Sequence, residues 1–586
     1  MTDDAQSRNE AKTWLDQARC LSSQNQHDEA RALYQKALKA FRDMEDRSHE
    51  AGAVFGVAQA ELCLGRPKEA RTAYLEALGL YKAIGSLKGE ARVLLELGRL
   101  GGMVDDRPDE ARTNFEKARA LYKAVEDREG EAQVLCGMGN LERNWGECPN
   151  EARAAYIEAY VLSKAVGNLL GQAIVLIGLG QLELQQNSLD AARKAFTEAR
   201  ALCQTVGNRR LEAHLLFEVG NLERRLGRHQ EMRQAYTEAC SLYHAVGDSR
   251  GEATVLKELG DLARLHDRPD EARTAYTEAR ALYKSIGHHL AQASILWALG
   301  DLERMLHRPK EARSVYTEAH VLCQTVGNKH LEACLLSRLG DLDCALGRFD
   351  EAQKTYMEAR ALHQALGDPM GEIGVLLELG DLDRMRGRFD EARRTYLEAR
   401  AFYEAINDHM GEGRILYRMA DLARDSGCLD EAHKTFTEAR AFYKALDDVL
   451  QEARILCELG DIERQLDRPH NARKSYTEAY TLFRAEDGRS REAGEALLRL
   501  GELESSLRRI DEARAAYMEV RASSSTNDDR RREARALLGL GQLEAHLNIA
   551  QARTYFRQAA DLFEAIGDIK GKELALKESK SLSTAQ

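Results

Sequence analysis

Apolar residues recur along this chain at helical spacing, in two patterns that alternate. In the segment 251–287 the first pattern consists of residues three or four positions apart: Val255, Leu256, Leu259 and Leu262. The second pattern, in the latter half of the segment, is spaced in the same way: Ala272, Tyr276, Ala279, Leu282 and Tyr283. Each set falls on one face of a helix with 3.6 residues per turn. The segment therefore predicts two amphipathic helices, which we call helix A and helix B.

This pair of helices recurs about every 40 residues. Fourteen copies, numbered in chain order, align on one position early in helix B: Ala30, Ala70, Ala111, Ala152, Ala192, Met232, Ala272, Ala312, Ala352, Ala392, Ala432, Ala472, Ala513 and Ala552. A fixed period of this length is typical of a solenoid, in which each unit packs mainly on its neighbours. We expect an all-α chain with one solenoid over residues 1–569, followed by a polar capping helix and tail at 570–586.

Proline and glycine mark the helix ends. Six prolines precede B-helix patterns, and Pro369 precedes an A-helix pattern; proline is tolerated at the first position of a helix. Glycines that follow B-helix patterns are expected to adopt the left-handed conformation of a helix C-terminus. They are Gly85, Gly167, Gly207, Gly247, Gly287, Gly327 and Gly367.

One copy shows a known repeat motif most clearly. Its positions are Leu339, Gly340, Leu346, Gly347, Ala352, Tyr356 and Ala359. This pattern resembles the tetratricopeptide repeat, in a 40-residue variety similar to the repeats of Pins-type spindle-orientation scaffolds. Two departures are an acidic residue late in helix A (Glu303, Asp343) and a "GD" or "GN" pair in place of the closing proline. The resemblance implies a right-handed superhelix whose A helices line a concave groove.

Composition narrows the function classes. The formal net charge of −12 disfavours a general nucleic-acid or anionic-membrane partner, because both require basic surface. No apolar run reaches the length of a membrane span, and the polar N-terminus is unlike a secretory signal. The eleven cysteines have no paired spacing, which favours reduced thiols and a cytoplasmic protein. No catalytic or metal-binding motif is present, so we expect neither an enzyme nor a cofactor.

The groove that the resemblance implies would be lined by two positions of helix A. The residue after the helix A glycine changes from amides to aspartates along the chain: Asn140, Gln181, Asn221, Asp261, Asp301, Asp341, Asp381, Asp421 and Asp461. Amides can bind a peptide backbone, and aspartates can pair with lysine or arginine. The alternative is that nearby arginines, three residues later in several copies, neutralise the aspartates or that these residues bridge neighbouring helices.

The position three residues before the glycine varies more than its neighbours. It holds, among others, Phe217, Lys257, Trp297 and Tyr417, whereas the flanking position is repeatedly leucine. Variation of this kind favours a surface on which each copy meets a different part of a partner, with the aromatic residues as anchors. Drift on a solvent-exposed face is the alternative interpretation.

These features predict a non-catalytic interaction scaffold. Its partner would be a protein or peptide segment bound along the groove, with basic residues opposite copies seven to twelve. Two other functions stay open: the sensor arm of a signalling or transcription-regulating system, and a structural spacer. Copy thirteen has Ser523 and Ser524 where other copies have leucine and an aromatic residue, which suggests a flexible or phosphorylatable hinge at 522–529.

Overall fold

The computed structural model describes residues 2–23, 26–103, 107–146, 149–486, 489–526, 529–545 and 547–584, and every regular element in these ranges is an α-helix. The chain divides into two compact units, Met1–Leu302 and Glu303–Gln586, which are described separately. Within the described ranges, none of the helices is both long enough and apolar enough to cross a membrane.

The first unit contains fifteen helices, the last of which continues past the unit boundary. They are α1 (Thr2–Ser23), α2 (His27–Asp43), α3 (Arg47–Cys63), α4 (Pro67–Ala83), α5 (Leu87–Met103), α6 (Pro108–Ala124), α7 (Arg128–Trp145), α8 (Pro149–Ala165), α9 (Leu169–Gln185), α10 (Leu189–Val206), α11 (Arg209–Arg225), α12 (His229–Ala245), α13 (Ser249–Leu265), α14 (Pro269–Ser285) and α15 (His289–Met305).

The second unit contains the remaining fourteen helices. They are α16 (Pro309–Val326), α17 (Lys329–Ala345), α18 (Phe349–Leu366), α19 (Pro369–Met385), α20 (Phe389–Ala405), α21 (His409–Asp425), α22 (Leu429–Ala445), α23 (Val449–Gln465), α24 (Pro469–Ala485), α25 (Ser490–Ser506), α26 (Ile510–Thr526), α27 (Arg530–Glu544), α28 (Ile549–Ala565) and α29 (Ile569–Thr584).

Odd-numbered helices are A helices and even-numbered ones are B helices, and from α1 to α14 and from α16 to α29 each helix packs against the next. The closest approach is between the helix A glycine and the helix B tyrosine of the same copy. A Cβ atom on Gly260 would lie 2.6 Å from the ring of Tyr276, and the same relation holds for Gly340 and Tyr356. Because only glycine allows the ring to lie against the backbone, this contact sets the spacing of the pair. The all-α repeat fold predicted from the sequence is confirmed.

The helix ends follow the predicted signals. All seven glycines expected to end B helices have positive φ angles, from 64° at Gly367 to 75° at Gly327. Other copies place Asn, Asp or Glu in this conformation, as at Asn407 and Asp447. Proline occupies the first turn of α14, α16 and α19. The chain therefore reverses direction by local backbone chemistry at each junction.

Neighbouring copies meet at what we call a seam pair: the last buried residue of helix B and the residue eight positions later in the next helix A. In several copies an aromatic ring packs on a glycine, as Tyr122 does on Gly130 and Tyr403 on Gly411. Elsewhere a small residue faces a larger one, as Cys203 faces Leu211. In these copies the two members compensate each other in size, whereas in another seam two rings stack, Phe41 on His49.

The seam pair of copy thirteen, Ser524 and Arg532, shows how this copy packs without an aromatic ring at the seam. Ser524 is completely buried, and Arg532 eight positions later is only 5 % exposed. A Cβ on Gly494 would meet the side chain of Arg532, whereas the equivalent Gly413 faces the ring of Tyr443. The arginine side chain thus fills the space of the missing ring. Helix α26 continues through both serines, and residues 527–528 of the predicted hinge lie outside the described residues.

Candidate binding surface on the A helices

The residue after the helix A glycine contacts the tyrosine of its own copy. The tyrosine hydroxyl donates a hydrogen bond to this residue in several copies. The bonds are Tyr156 to Asn140 (2.7 Å), Tyr236 to Asn221 (2.8 Å), Tyr276 to Asp261 (2.5 Å), Tyr356 to Asp341 (2.8 Å) and Tyr476 to Asp461 (2.6 Å). Tyr396 donates to Asp381 in the same way. The accepting asparagines and aspartates are half-buried, and each of these hydrogen bonds joins helix A to helix B within its copy.

The aspartates also have cationic partners. The closest charged contacts are Lys257 Nζ to Asp261 (2.8 Å), Arg338 to Asp341 (3.0 Å), Arg424 to Asp421 (2.6 Å) and Arg499 to Asp461 (2.6 Å). Arg418 pairs with Asp381. The negative charge of this row is therefore largely balanced inside the protein, and the expected preference for a basic partner is not supported by the geometry.

The amides of the first unit form a comparable network. Gln181 donates to Glu218 over 2.9 Å and accepts a hydrogen bond from Arg143 of the preceding copy. Asn221 donates to the same glutamate over 3.3 Å. Gln181 thus bridges successive A helices and Asn221 is bonded within its own helix, so a partner would meet amides that already have hydrogen bonds.

Asp421 differs from the other aspartates because its copy has Phe436 in place of the tyrosine. Phe436 has no hydroxyl to donate, and among the described residues the Asp421 Oδ1 atom is buried without a hydrogen bond, although Arg424 lies within 2.6 Å. Burial raises the pKa of Asp421 above its ordinary value, against the opposing effect of the Arg424 charge.

The variable position lies deeper than the sequence suggested. Its aliphatic and cysteine members are buried in the core: Leu95, Cys136, Ile177, Leu377 and Cys457. The proposed anchors Phe217, Trp297 and Tyr417 are half-buried, as is Lys257. These aromatic residues are thus less exposed than predicted, and A helices of successive copies, such as α17 and α19, contact each other.

Each aromatic anchor is held in place by a neighbour. Trp297 Nε1 donates to Asp301 over 3.0 Å. The ring of Phe217 lies 5.7 Å from that of Tyr236, and Tyr417 packs edge-on against Phe436 with ring centroids 5.5 Å apart. Burial raises the pKa of Tyr417 to about 12, so its hydroxyl stays neutral at physiological pH. The orientation of each ring is therefore set by a neighbouring side chain.

A cavity of about 450 Å³ opens beside Tyr417 in the second unit. It is lined from α19, α21, α22 and α23 by Asp381, Arg384, Met410, Arg414, Tyr417, Arg418, Asp421, Tyr443, Gln451 and Arg454. Arg414 and Arg454 are exposed and have neither an ion pair nor a hydrogen bond among the described residues. Arg384, by contrast, lies 2.6 Å from Asp425. The uncompensated charge in this cavity is therefore positive.

Sequence reasoning missed these two arginines. They occupy the position six residues before the glycine or alanine of helix A, which holds Thr254 and Ser294 in copies seven and eight. The sequence does show arginine at the same repeat position in two successive copies. That the two arginines share a cavity becomes visible only from the packing of α19, α21 and α23.

The chain was compared with known families and structures. A tetratricopeptide-repeat family model matches residues 211–285, 269–325, 331–405, 372–445, 411–485 and 451–525, which together make up more than half of the chain, and a second model of the same description matches residues 15–83. No curated protein sequence gives a match.

Several solved structures are similar to parts of the chain. The apo form of RapI is 11 % identical with a TM-score of 0.47, covering 60 % of this chain and 97 % of its own. A signal-transduction ATPase with a tetratricopeptide repeat sensor from Pyrococcus horikoshii is 14 % identical with a TM-score of 0.43, covering 87 % of this chain and 74 % of its own. BtubC from P. vanneervenii is 24 % identical with a TM-score of 0.29, covering 41 % and 92 %. On the family matches and the repeated helix pairs, the chain belongs to the tetratricopeptide-repeat family.

Proposed function

We propose that this protein is a non-catalytic interaction scaffold that binds a polypeptide segment on its A helices. Arrays of helix pairs present extended surfaces of this kind. The observation that carries the proposal is the cavity beside Tyr417, because it combines a half-buried aromatic ring with two arginines that have no ion pair or hydrogen bond in the part of the chain that the structure describes.

The cavity favours an acidic segment. Asp381 and Asp421 are already paired with Arg418 and Arg424, whereas Arg414 and Arg454 have unused hydrogen-bond donors. Guanidinium groups bind carboxylates by two parallel hydrogen bonds. Tyr417 and Met410 add apolar contact, and Met410 is exposed. We therefore propose an acidic side chain next to an apolar one as the recognised element.

In the first unit the proposed contact is Trp297, together with Phe217 and the amides Asn140, Gln181 and Asn221. The indole is half-exposed and oriented by its bond to Asp301. A rigid aromatic side chain costs little conformational entropy when a partner binds. In this proposal the remaining aspartates hold the A and B helices together, and their effect on binding is therefore indirect.

The test is selection of peptides from a random display library on the intact chain. We expect enrichment of sequences with acidic residues, and at least about a tenfold loss of affinity for them in the Arg414→Gln, Arg454→Gln double variant, since each charge-assisted hydrogen bond contributes about 1.5–3 kcal/mol. Arg394→Gln is the matched control, because Arg394 is an exposed arginine on α20 outside the cavity.

Two outcomes would contradict the proposal. Enriched peptides that bind the double variant as well as the unaltered protein would exclude the cavity as the binding site. A library that yields no saturable binder at all would exclude peptide recognition and favour a structural role.

A further inference from the structure

Two histidines and an aspartate meet where copies nine and ten join. His330 is in the first turn of α17, His363 is near the end of α18, and Asp368 is the residue that caps α19. His363 Nδ1 lies 2.9 Å from Asp368 Oδ2, and His330 Nδ1 lies 3.6 Å from the same oxygen. One ligand atom from each of the three residues lies within 4.8 Å of the other two.

Other copies show what is unusual about this junction. In some other copies the position of His330 holds a cation that pairs with the next capping aspartate, as Lys88 does with Asp127 (2.7 Å) and Arg210 with Asp248 (2.8 Å). The position of His363 is the seam position, which is often tyrosine. Both positions hold histidine in the same junction, so two imidazoles face one carboxylate only here among the described copies.

We propose that His330, His363 and Asp368 form a binding site for a divalent transition-metal ion such as Zn²⁺. Two imidazole nitrogens and a carboxylate oxygen form one of the usual three-residue ligand sets for zinc. In a tetrahedral site with bonds of about 2.0–2.1 Å, ligand atoms are roughly 3.3 Å apart. The observed separations need only small side-chain rotations to reach this value.

Two of the ligands are held rigidly. The His363 side chain is 4 % exposed, and its ring packs on Gly371, where a Cβ would overlap it. Asp368 Oδ1 accepts a hydrogen bond of 2.9 Å from the Gly371 backbone, which leaves Oδ2 directed at the histidines. His330 is 67 % exposed and can rotate towards them. The site therefore combines a fixed pair with a mobile third ligand, which provides an entry path for the ion.

Cys334 lies on the same helix as His330, although its thiol is not part of the three-residue group. Cys334 is four residues after His330, on the same face of α17. In copy seven the residues equivalent to Cys334 and His363 are Thr254 and Tyr283, whose hydroxyl oxygens are 2.9 Å apart. Burial raises the pKa of the Cys334 thiol, and the charge of Asp368 raises it further. Because the three-residue group does not include this thiol, we expect a water molecule as the fourth ligand.

The test is titration of the purified, tag-free chain with Zn²⁺ by calorimetry, and with Co²⁺ by absorption spectroscopy. We expect one bound ion per chain, a rise in the midpoint of thermal unfolding, and visible Co²⁺ bands typical of low coordination number. Loss of a direct ligand should weaken affinity at least about tenfold, as loss of a supporting residue does.

The repeat itself supplies variants that preserve the fold. His330→Arg restores the cation seen at Arg210, His363→Tyr restores the ring seen at Tyr403, and Asp368→Asn restores the cap seen at Asn328. Each should fold normally without metal and lose the bound ion. His266→Gln is the control, since His266 and His229 form another close histidine pair.

Three results would overturn the proposal. They are the absence of a saturable Zn²⁺ site in the unaltered chain, undiminished binding in the three ligand variants, and loss of binding in His266→Gln. Because the ligand variants use residues found in other copies, circular dichroism of the metal-free proteins separates loss of a ligand from loss of structure.

Discussion

Single side chains decide how closely the helices of a copy approach. Two of the three glycines on α19 differ in this respect: a Cβ on Gly380 would overlap the ring of Tyr396, whereas a Cβ on Gly374 would meet nothing within 4 Å. One helix therefore contains both a glycine that packing requires and one that it does not.

This contrast gives a matched pair of substitutions. Gly380→Ala should destabilise copy ten by about 1–3 kcal/mol, because the ring must move. Gly374→Ala should be neutral or stabilising by up to about 1 kcal/mol, since alanine has the higher helix propensity. Hydrogen exchange of the α19 and α20 amides measures both effects. Equal protection in the two variants would contradict the role assigned to the Gly380–Tyr396 contact.

Helix α19 begins at an aspartate whose side chain caps it, and this makes its stability depend on pH. The backbone N–H of Gly371 holds the pKa of Asp368 below its ordinary value, assisted by His363 and His330 and opposed by partial burial. The unfolded chain then binds more protons than the folded one in acid. The stabilisation is fully present above the unfolded pKa, about 3.9, and is lost as the pH falls through the folded pKa.

We expect the amides at the start of α19 to lose protection as the pH is lowered from about 6 to about 2 in metal-free buffer. Asp368→Asn should remove most of this local dependence, because asparagine caps without ionising. Hydrogen exchange corrected for the intrinsic effect of pH is the measurement. A variant with the same pH profile as the original chain would show that another group is responsible.

The sequence predicted helices better than it predicted contacts between them. Helix order and ends follow from local signals, such as Pro369 and Gly367, and these were correct. The bond between Tyr356 and Asp341 joins residues 15 positions apart on different helices, so neither periodicity nor composition reveals it. The burial of Cys457 likewise depends on packing between helices, and the sequence of a single copy does not reveal this packing.

Each unit as a whole is stabilised by contacts between neighbours. In such a chain, free energy is approximately a sum over copies and the interfaces between them. A large defect in one copy should therefore spread to adjacent copies and fade with distance. Tyr396 suits a test in the second unit, because its side chain is fully buried among residues of α19, α20 and α21.

Tyr396→Ala should cost about 3–5 kcal/mol, as expected for loss of a large buried aromatic side chain. We expect hydrogen exchange to accelerate in α19 to α22, while α27 and α28 keep their protection. Tyr396→Phe is the control, since it removes only the hydroxyl bonded to Asp381. Uniform acceleration throughout the second unit would instead indicate one cooperative transition.

The seam pairs also constrain how such a chain can lengthen or shorten during evolution. Tyr81 packs on Gly89 and Tyr122 packs on Gly130, so excision of residues 89–129 would leave Tyr81 facing Gly130, a match of the same kind. Excision of residues 89–210 would set Tyr81 against Leu211, where the ring and the leucine side chain would compete for one space. We therefore expect gene rearrangements that remove or duplicate copies to be tolerated best between junctions of like type.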